Sequence, residues 1–140
     1  MWCALDMPMY ALGDRVPSID PSAFVHPDAV LIGNVIVGAE SSIWPTAVLR
    51  GDHGTIRVGS QTSVQDGTIV HCTSTLDTVI GNGCTVGHNV HLEGCTIEDG
   101  CLIGAGSVVL REAPIRTGAL VGAQALIPNG MEVPSGAMAL

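Results

Sequence analysis

Apolar β-forming residues recur every six positions along almost the whole chain. The series runs Ile19, Val25, Leu31, Val37, Ile43, Leu49, then Val58, Val64, Val70, then Ile80, Val86, Leu92, and on through Ile97, Ile103, Val109, Ile115, Val121, Ile127 and Val133. A period of six is neither the 3.6 of a helix nor a two-residue alternation ending in hairpins. It is the hexapeptide signature of a parallel β-helix, in which each hexapeptide gives one short strand and a turn. Three of them close one triangular coil, so these anchors predict an all-β domain of about six coils over residues 9–140. Four positions after most anchors stands a small side chain, such as Ala29, Ser41, Ala47, Thr62, Thr68, Cys84 or Cys101. A narrow interior accounts for that second inward slot.

Composition agrees with a thin β architecture. Apolar residues make up 46% of the 140, but aromatic residues only 3%, so Val, Ile, Leu and Ala must fill the core. The net charge of −8 with five Lys plus Arg argues against nucleic acid and anionic membranes, which need a basic surface. No run of about 18 apolar residues exists to span a bilayer. The opening MWCALDMPMY lacks the basic region and long apolar run of a signal peptide, and a cytoplasmic protein is expected. Met7 and Met9 are plausible natural starts, which makes residues 1–8 an expected disordered leader. Five Cys without a CxxC pair point to buried free thiols.

The breaks in the repeat locate the chemistry, because a regular scaffold leaves functional residues in its loops. Three residues are extra around Asp52-His53-Gly54, four around Ser74-Thr75-Leu76-Asp77, and one is missing between Leu92 and Ile97. Counting units, Leu49, Val70 and Leu92 fall on one face, each a coil apart. The residues just after them, Arg50, His71 and Glu93, should stack in a column about 4.8 Å per step. Val64 and Val86 share another face, which stacks Asp66 with His88. His88 can meet His71 and Glu93 only if a second subunit packs alongside, and a triangular prism with such an interface closes as a cyclic trimer.

These residues resemble the γ-class carbonic anhydrases, within the hexapeptide-repeat transferase superfamily. The resemblance covers roughly residues 9–140. It rests on YALGDRVPSIDPSAFVHPDAVLIGNVIVG, IWPTAVLRGD, VQDGTIVH and TVIGNGCTVGHNVHLEGCTIEDGCLIGAGSVVL, with LRGD, VQDG and VGH at the family's distances. It implies a left-handed parallel β-helix, a homotrimer, and Zn²⁺ (or Fe²⁺ or Co²⁺) held between subunits by three His. His71 matches the first ligand and His88 the second, donated across the interface. Glu93 stands where the family has its third His. Arg50 and Asp52 match an interface ion pair, and Gln65 and Asp66 an active-site hydrogen-bonding pair, both sets with catalytic roles. The short interval from His71 to His88 matches members without the long acidic loop and its proton-shuttle Glu. His53 replaces a second acidic residue. Family members continue into a C-terminal helix, which is missing before Leu140, so the expected fold lacks it.

The implied reaction is reversible hydration of CO₂ to bicarbonate. Two His and one Glu form a recognised catalytic zinc set, and the metal brings the pKa of water to about 7. An anionic third ligand should make that water less acidic than three imidazoles would, slowing hydration at neutral pH. Other readings of the residues stay open. Glu93 could pair with Arg50 and bind no metal, with His91 a reserve ligand. His26 and His53 read as solvated, and Cys72 as pointing away from His71. An acyltransferase using acetyl-CoA, with His88 as base, is a second class, though few cations are present for the CoA phosphates. A non-catalytic trimeric scaffold is a third.

Overall fold

The computed structural model describes residues 8–140. Of the expected leader, residues 1–7 lie outside the described residues. The Pro8 carbonyl accepts a hydrogen bond from the Leu31 amide at 3.1 Å, so this residue already borders the sheet.

Every strand-to-strand ladder is parallel. Most strands are two or three residues long, as a six-residue unit with a turn requires. Val30–Val37 and Val48–Val58 are longer because each runs through a corner without breaking. The anchors sort onto three faces. Leu31, Leu49, Val70, Leu92, Val109 and Ile127 stack on the first. Val25, Ile43, Val64, Val86, Ile103 and Val121 stack on the second. Ile19, Val37, Val58, Ile80, Ile97, Ile115 and Val133 stack on the third. The result is a left-handed parallel β-helix of about seven turns. The count exceeds the expected six because Met9–Tyr10 pairs beneath Leu31–Ile32, and Met138–Ala139 pairs above Leu120–Val121. Neither Met9 nor Ala139 carries the Val/Ile/Leu signature by which the anchors were counted. No helix among the described residues is long and apolar enough to cross a membrane.

The small inward slots do more than fit a narrow interior. Ladder bonds lapse at the corners, and buried hydroxyls bridge the gap. Ser41 Oγ donates to the Gly59 carbonyl at 2.6 Å and accepts the Thr62 amide at 3.0 Å. Thr62 Oγ1 repeats this one rung higher, donating to Gly81 at 2.7 Å and accepting from Cys84 at 3.0 Å. The Cys84 thiol continues the series to the Glu98 carbonyl at 3.1 Å. A buried polar group without a partner costs about 1–3 kcal/mol. Among the described residues no buried side-chain nitrogen or oxygen lacks one. Cys72, Cys84, Cys95 and Cys101 are buried free thiols, as expected, and burial pushes Cys95 up to about 12.

The first break is a bulge. Gly33 pairs with Gly51, but Val35 pairs with Ile56, so three residues are extruded. Glycine is required at this crossing. A Cβ on Gly51 would lie 2.4 Å from the Asn34 carbonyl oxygen, and one on Gly33 would lie 2.4 Å from that of Gly51. The second break stacks on the first: Asp77 Oδ1 accepts the Thr55 amide at 2.7 Å, and the Gly54 amide approaches Cys72 Sγ at 3.2 Å.

Candidate metal centre

On the first face, Arg50, His71 and Glu93 occupy successive rungs in register. Each follows a buried anchor, and side chains alternate along a strand, so all three point outward. The bulge after Gly51 returns Asp52 toward this column. His71 Nε2 hydrogen-bonds to Asp52 Oδ1 at 2.9 Å, while the Arg50 guanidinium ion-pairs with Oδ2. Arg15 donates to the Asp52 backbone carbonyl, and His53 Nε2 lies 3.9 Å from Oδ2. Burial works to raise Asp52, but the His71 hydrogen bond and the Arg50 charge outweigh it and hold the carboxyl below its usual value.

Glu93 is engaged from the next rung. Arg111 donates to its Oε1 twice, from Nε at 3.0 Å and from a terminal nitrogen at 2.6 Å. His91 Nε2 lies 3.4 Å from Oε2. The Arg111 hydrogen bonds hold Glu93 below the ordinary carboxylate range against a smaller opposing effect of burial. The partner considered from sequence was Arg50, but Arg50 is committed to Asp52.

Asp66 and His88 stack on the second face, where Val64 pairs with Val86. His88 Nδ1 sits 3.1 Å from Asp66 Oδ2, and both side chains are exposed. Gln65 is half-buried beside them, and its backbone N–H donates to the Val86 carbonyl at 2.9 Å. One chain therefore divides the sequence-derived set. Arg50, Asp52, His71 and Glu93 lie together, and Gln65, Asp66 and His88 lie on another face. Among the described residues, no three His, Cys, Asp or Glu side chains of one chain are placed to hold a metal ion.

The donor chemistry nevertheless fits a divalent transition metal. Two imidazoles and one carboxylate are a suitable ligand set. Each His already meets a carboxylate, the outer-shell arrangement that orients metal-binding imidazoles. With Nδ1 turned to Asp66, His88 presents Nε2 outward. His71 meets Asp52 through Nε2, which leaves Nδ1 as its donor for an ion, and one contact works the other way, because Glu93 is occupied by Arg111.

Three contributors escaped the sequence reading. Arg111 sits two residues past an anchor, with only its charge opposite Glu93 as a signal. Arg15 is 37 residues from Asp52, its backbone partner. Thr78 is fully buried, donates to the His71 carbonyl and accepts the Gly94 amide at 2.8 Å, so it ties the strand of His71 to the residue after Glu93. Thr78 stands two positions before the Ile80 anchor, in a small inward slot that counting forward from Val70 misses because of the insertion between them.

Residues 77–111 match the bacterial transferase hexapeptide family model of six repeats. A solved hexapeptide transferase family protein from Anaplasma phagocytophilum superposes with a TM-score of 0.90 at 38% identity, covering 93% of this chain and 76% of that one. This chain belongs to the hexapeptide transferase family. Its curated relatives include a gamma carbonic anhydrase and a carnitine operon protein. The mitochondrial gamma carbonic anhydrase 2 of Arabidopsis thaliana is 42% identical over 129 residues, covering 88% of this chain and 46% of the relative. The carnitine operon protein CaiE of Escherichia coli K12 is 42% identical over 124 residues, covering 89% and 63%. The chain thus spans about half to two thirds of the length of these curated relatives.

Proposed function

We propose that this chain works as a homotrimer that hydrates CO₂ reversibly to bicarbonate. The site would form between subunits from His71 and Glu93 of one copy and His88 of the next. The observation that supports this is the division of one ligand set between two faces, each His with its own carboxylate. A second copy alongside completes what one chain cannot.

A bound Zn²⁺, Fe²⁺ or Co²⁺ would act as a Lewis acid that brings the pKa of water toward neutrality. The chain's own residues do the rest. Asp66 fixes the orientation of His88. Asp52, itself anchored by Arg50, orients His71. Gln65 lies beside Asp66, within the expected hydrogen-bonding pair. Val48 and Ile69 are outward apolar side chains beside Arg50 and His71, which suits the approach of a non-polar gas, and His91 takes the next rung beside Glu93. The negative charge of Glu93 makes water at the site less acidic than a third imidazole would, so turnover at neutral pH is slow.

The test is subunit mixing. His71→Ala and His88→Ala homotrimers should each lack metal and CO₂ hydration activity. Each mixed trimer has one interface with both His intact, so mixing should restore metal and activity together. Two dead parents whose mixture stays dead would refute an intersubunit site. Acyl transfer is the second reading, favoured by the exposed His88 Nε2 with Asp66 behind it, an arrangement suited to a general base. Thermal stabilisation by acetyl-CoA but not by Zn²⁺ would select it.

A further inference from the structure

Both oxygens of Glu93 are already in use. Arg111 donates twice to Oε1, and His91 stands at Oε2. The backbone holds the two residues close. The Glu112 amide donates to the Gly94 carbonyl at 2.8 Å, which ties the corner beside Arg111 to the residue after Glu93. Gly94 also leaves room for the arginine stem, because a Cβ there would stand only 3.3 Å from Arg111 Cγ. Guanidinium hydrogen bonds and metal coordination draw on the same carboxylate lone pairs.

From this competition we infer that Arg111 sets the metal affinity of the site, holding Glu93 away from the ion and keeping the protein a weak metal binder. The inference rests on the intersubunit site proposed above. It makes Arg111 a positioning residue that acts through Glu93. Changes to groups that orient metal ligands commonly move affinity by about 10–100-fold. Here removal should tighten binding, because the outer group opposes coordination.

The experiment measures Zn²⁺ affinity of the assembled protein by competition with a chromophoric chelator. The variants are Arg111→Met, Arg111→Lys, Glu93→His and the Glu93→His/Arg111→Met double variant, with thermal unfolding as a folding check. Arg111→Met should bind Zn²⁺ at least about tenfold more tightly than wild type. Arg111→Lys, which keeps the charge and loses the fork, should fall between. If Met at 111 fails to fold, the lysine variant carries the test. In the Glu93→His background, Arg111→Met should change affinity by less than about twofold, since the carboxylate it acts through is gone. Arg111 variants that bind no more tightly than wild type, while Glu93→His binds well, would overturn the inference and leave the site standing. Absence of Zn²⁺ from every variant, Glu93→His included, would remove the site itself and the inference with it.

Discussion

Replacing Thr78 by Val keeps the shape of a fully buried side chain and removes one oxygen. That oxygen donates to the His71 carbonyl and accepts the Gly94 amide at 2.8 Å. Two hydrogen bonds at about 1 kcal/mol each set the base cost, and complete orphaning of both backbone groups would add about 1–3 kcal/mol per group. Complete orphaning is not expected. The Gly94 amide already lies 3.4 Å from the His71 carbonyl, so the two stranded groups can fall back on each other. The expected loss is therefore about 2 kcal/mol. Urea unfolding at fixed protein concentration should show a lower midpoint with an unchanged slope. Thr62→Val is the comparison. Thr62 bridges Gly81 at 2.7 Å and Cys84 at 3.0 Å in the same manner, but at a corner away from His71, His88 and Glu93. Both variants should be destabilised, and only Thr78→Val should also change the Zn²⁺ affinity. A Thr78→Val protein within about 0.5 kcal/mol of wild type would refute the bridging role.

Gly51→Ala forces a Cβ against the Asn34 backbone, so a loss of about 1–3 kcal/mol or more is expected, together with displacement of Arg50 and Asp52. Thermal unfolding and metal affinity read both effects. Asp52 and Glu93 are held below their ordinary values of 3.8 and 4.5. A lowered folded-state pKa gives stability that is present above the unfolded value and lost as pH falls through the folded one. Denaturation midpoints should thus hold steady from neutrality down to about pH 5 and fall below about pH 4, less steeply in Asp52→Asn. Thr46 is a β-branched residue in the left-handed region at φ 60°, and Asn tolerates that conformation better. Thr46→Asn should raise stability by about 0.5–1 kcal/mol, seen as a melting point higher by about 2–4 °C.

The fold was legible because one period governs nearly every buried residue. Leu49, Val70 and Leu92 could be placed on one face by counting, and Arg50, His71 and Glu93 followed from them. The same arithmetic put Asp66 beneath His88. The seventh turn was not legible because Met9 and Ala139 pair through their backbones without a diagnostic side chain. The setting of Glu93 was hidden for a different reason. Arg111 reaches it by a long flexible stem across a corner, and the six-residue count says where a Cα lies, not how far a guanidinium extends. Thr78 was hidden because it follows an insertion, so a count carried forward from Val70 misses it, although it stands two positions before Ile80. Its buried hydroxyl belongs to the same class as Ser41, Thr62 and Thr68, which the repeat did mark, though only as small residues.

The extruded corners have a consequence for how such a chain can change in length. Residues added at Asp52–Thr55 or Thr73–Asp77 bulge outward, and the rungs above resume in phase. A single hexapeptide inserted between Val70 and Val86 would instead advance everything after it by one face, carrying His88 away from Asp66. Three hexapeptides restore the phase one rung higher. Length along this thread is therefore quantised: loops vary freely at the corners, while the ladder tolerates only whole turns, and even a whole turn there would part His88 from Asp66.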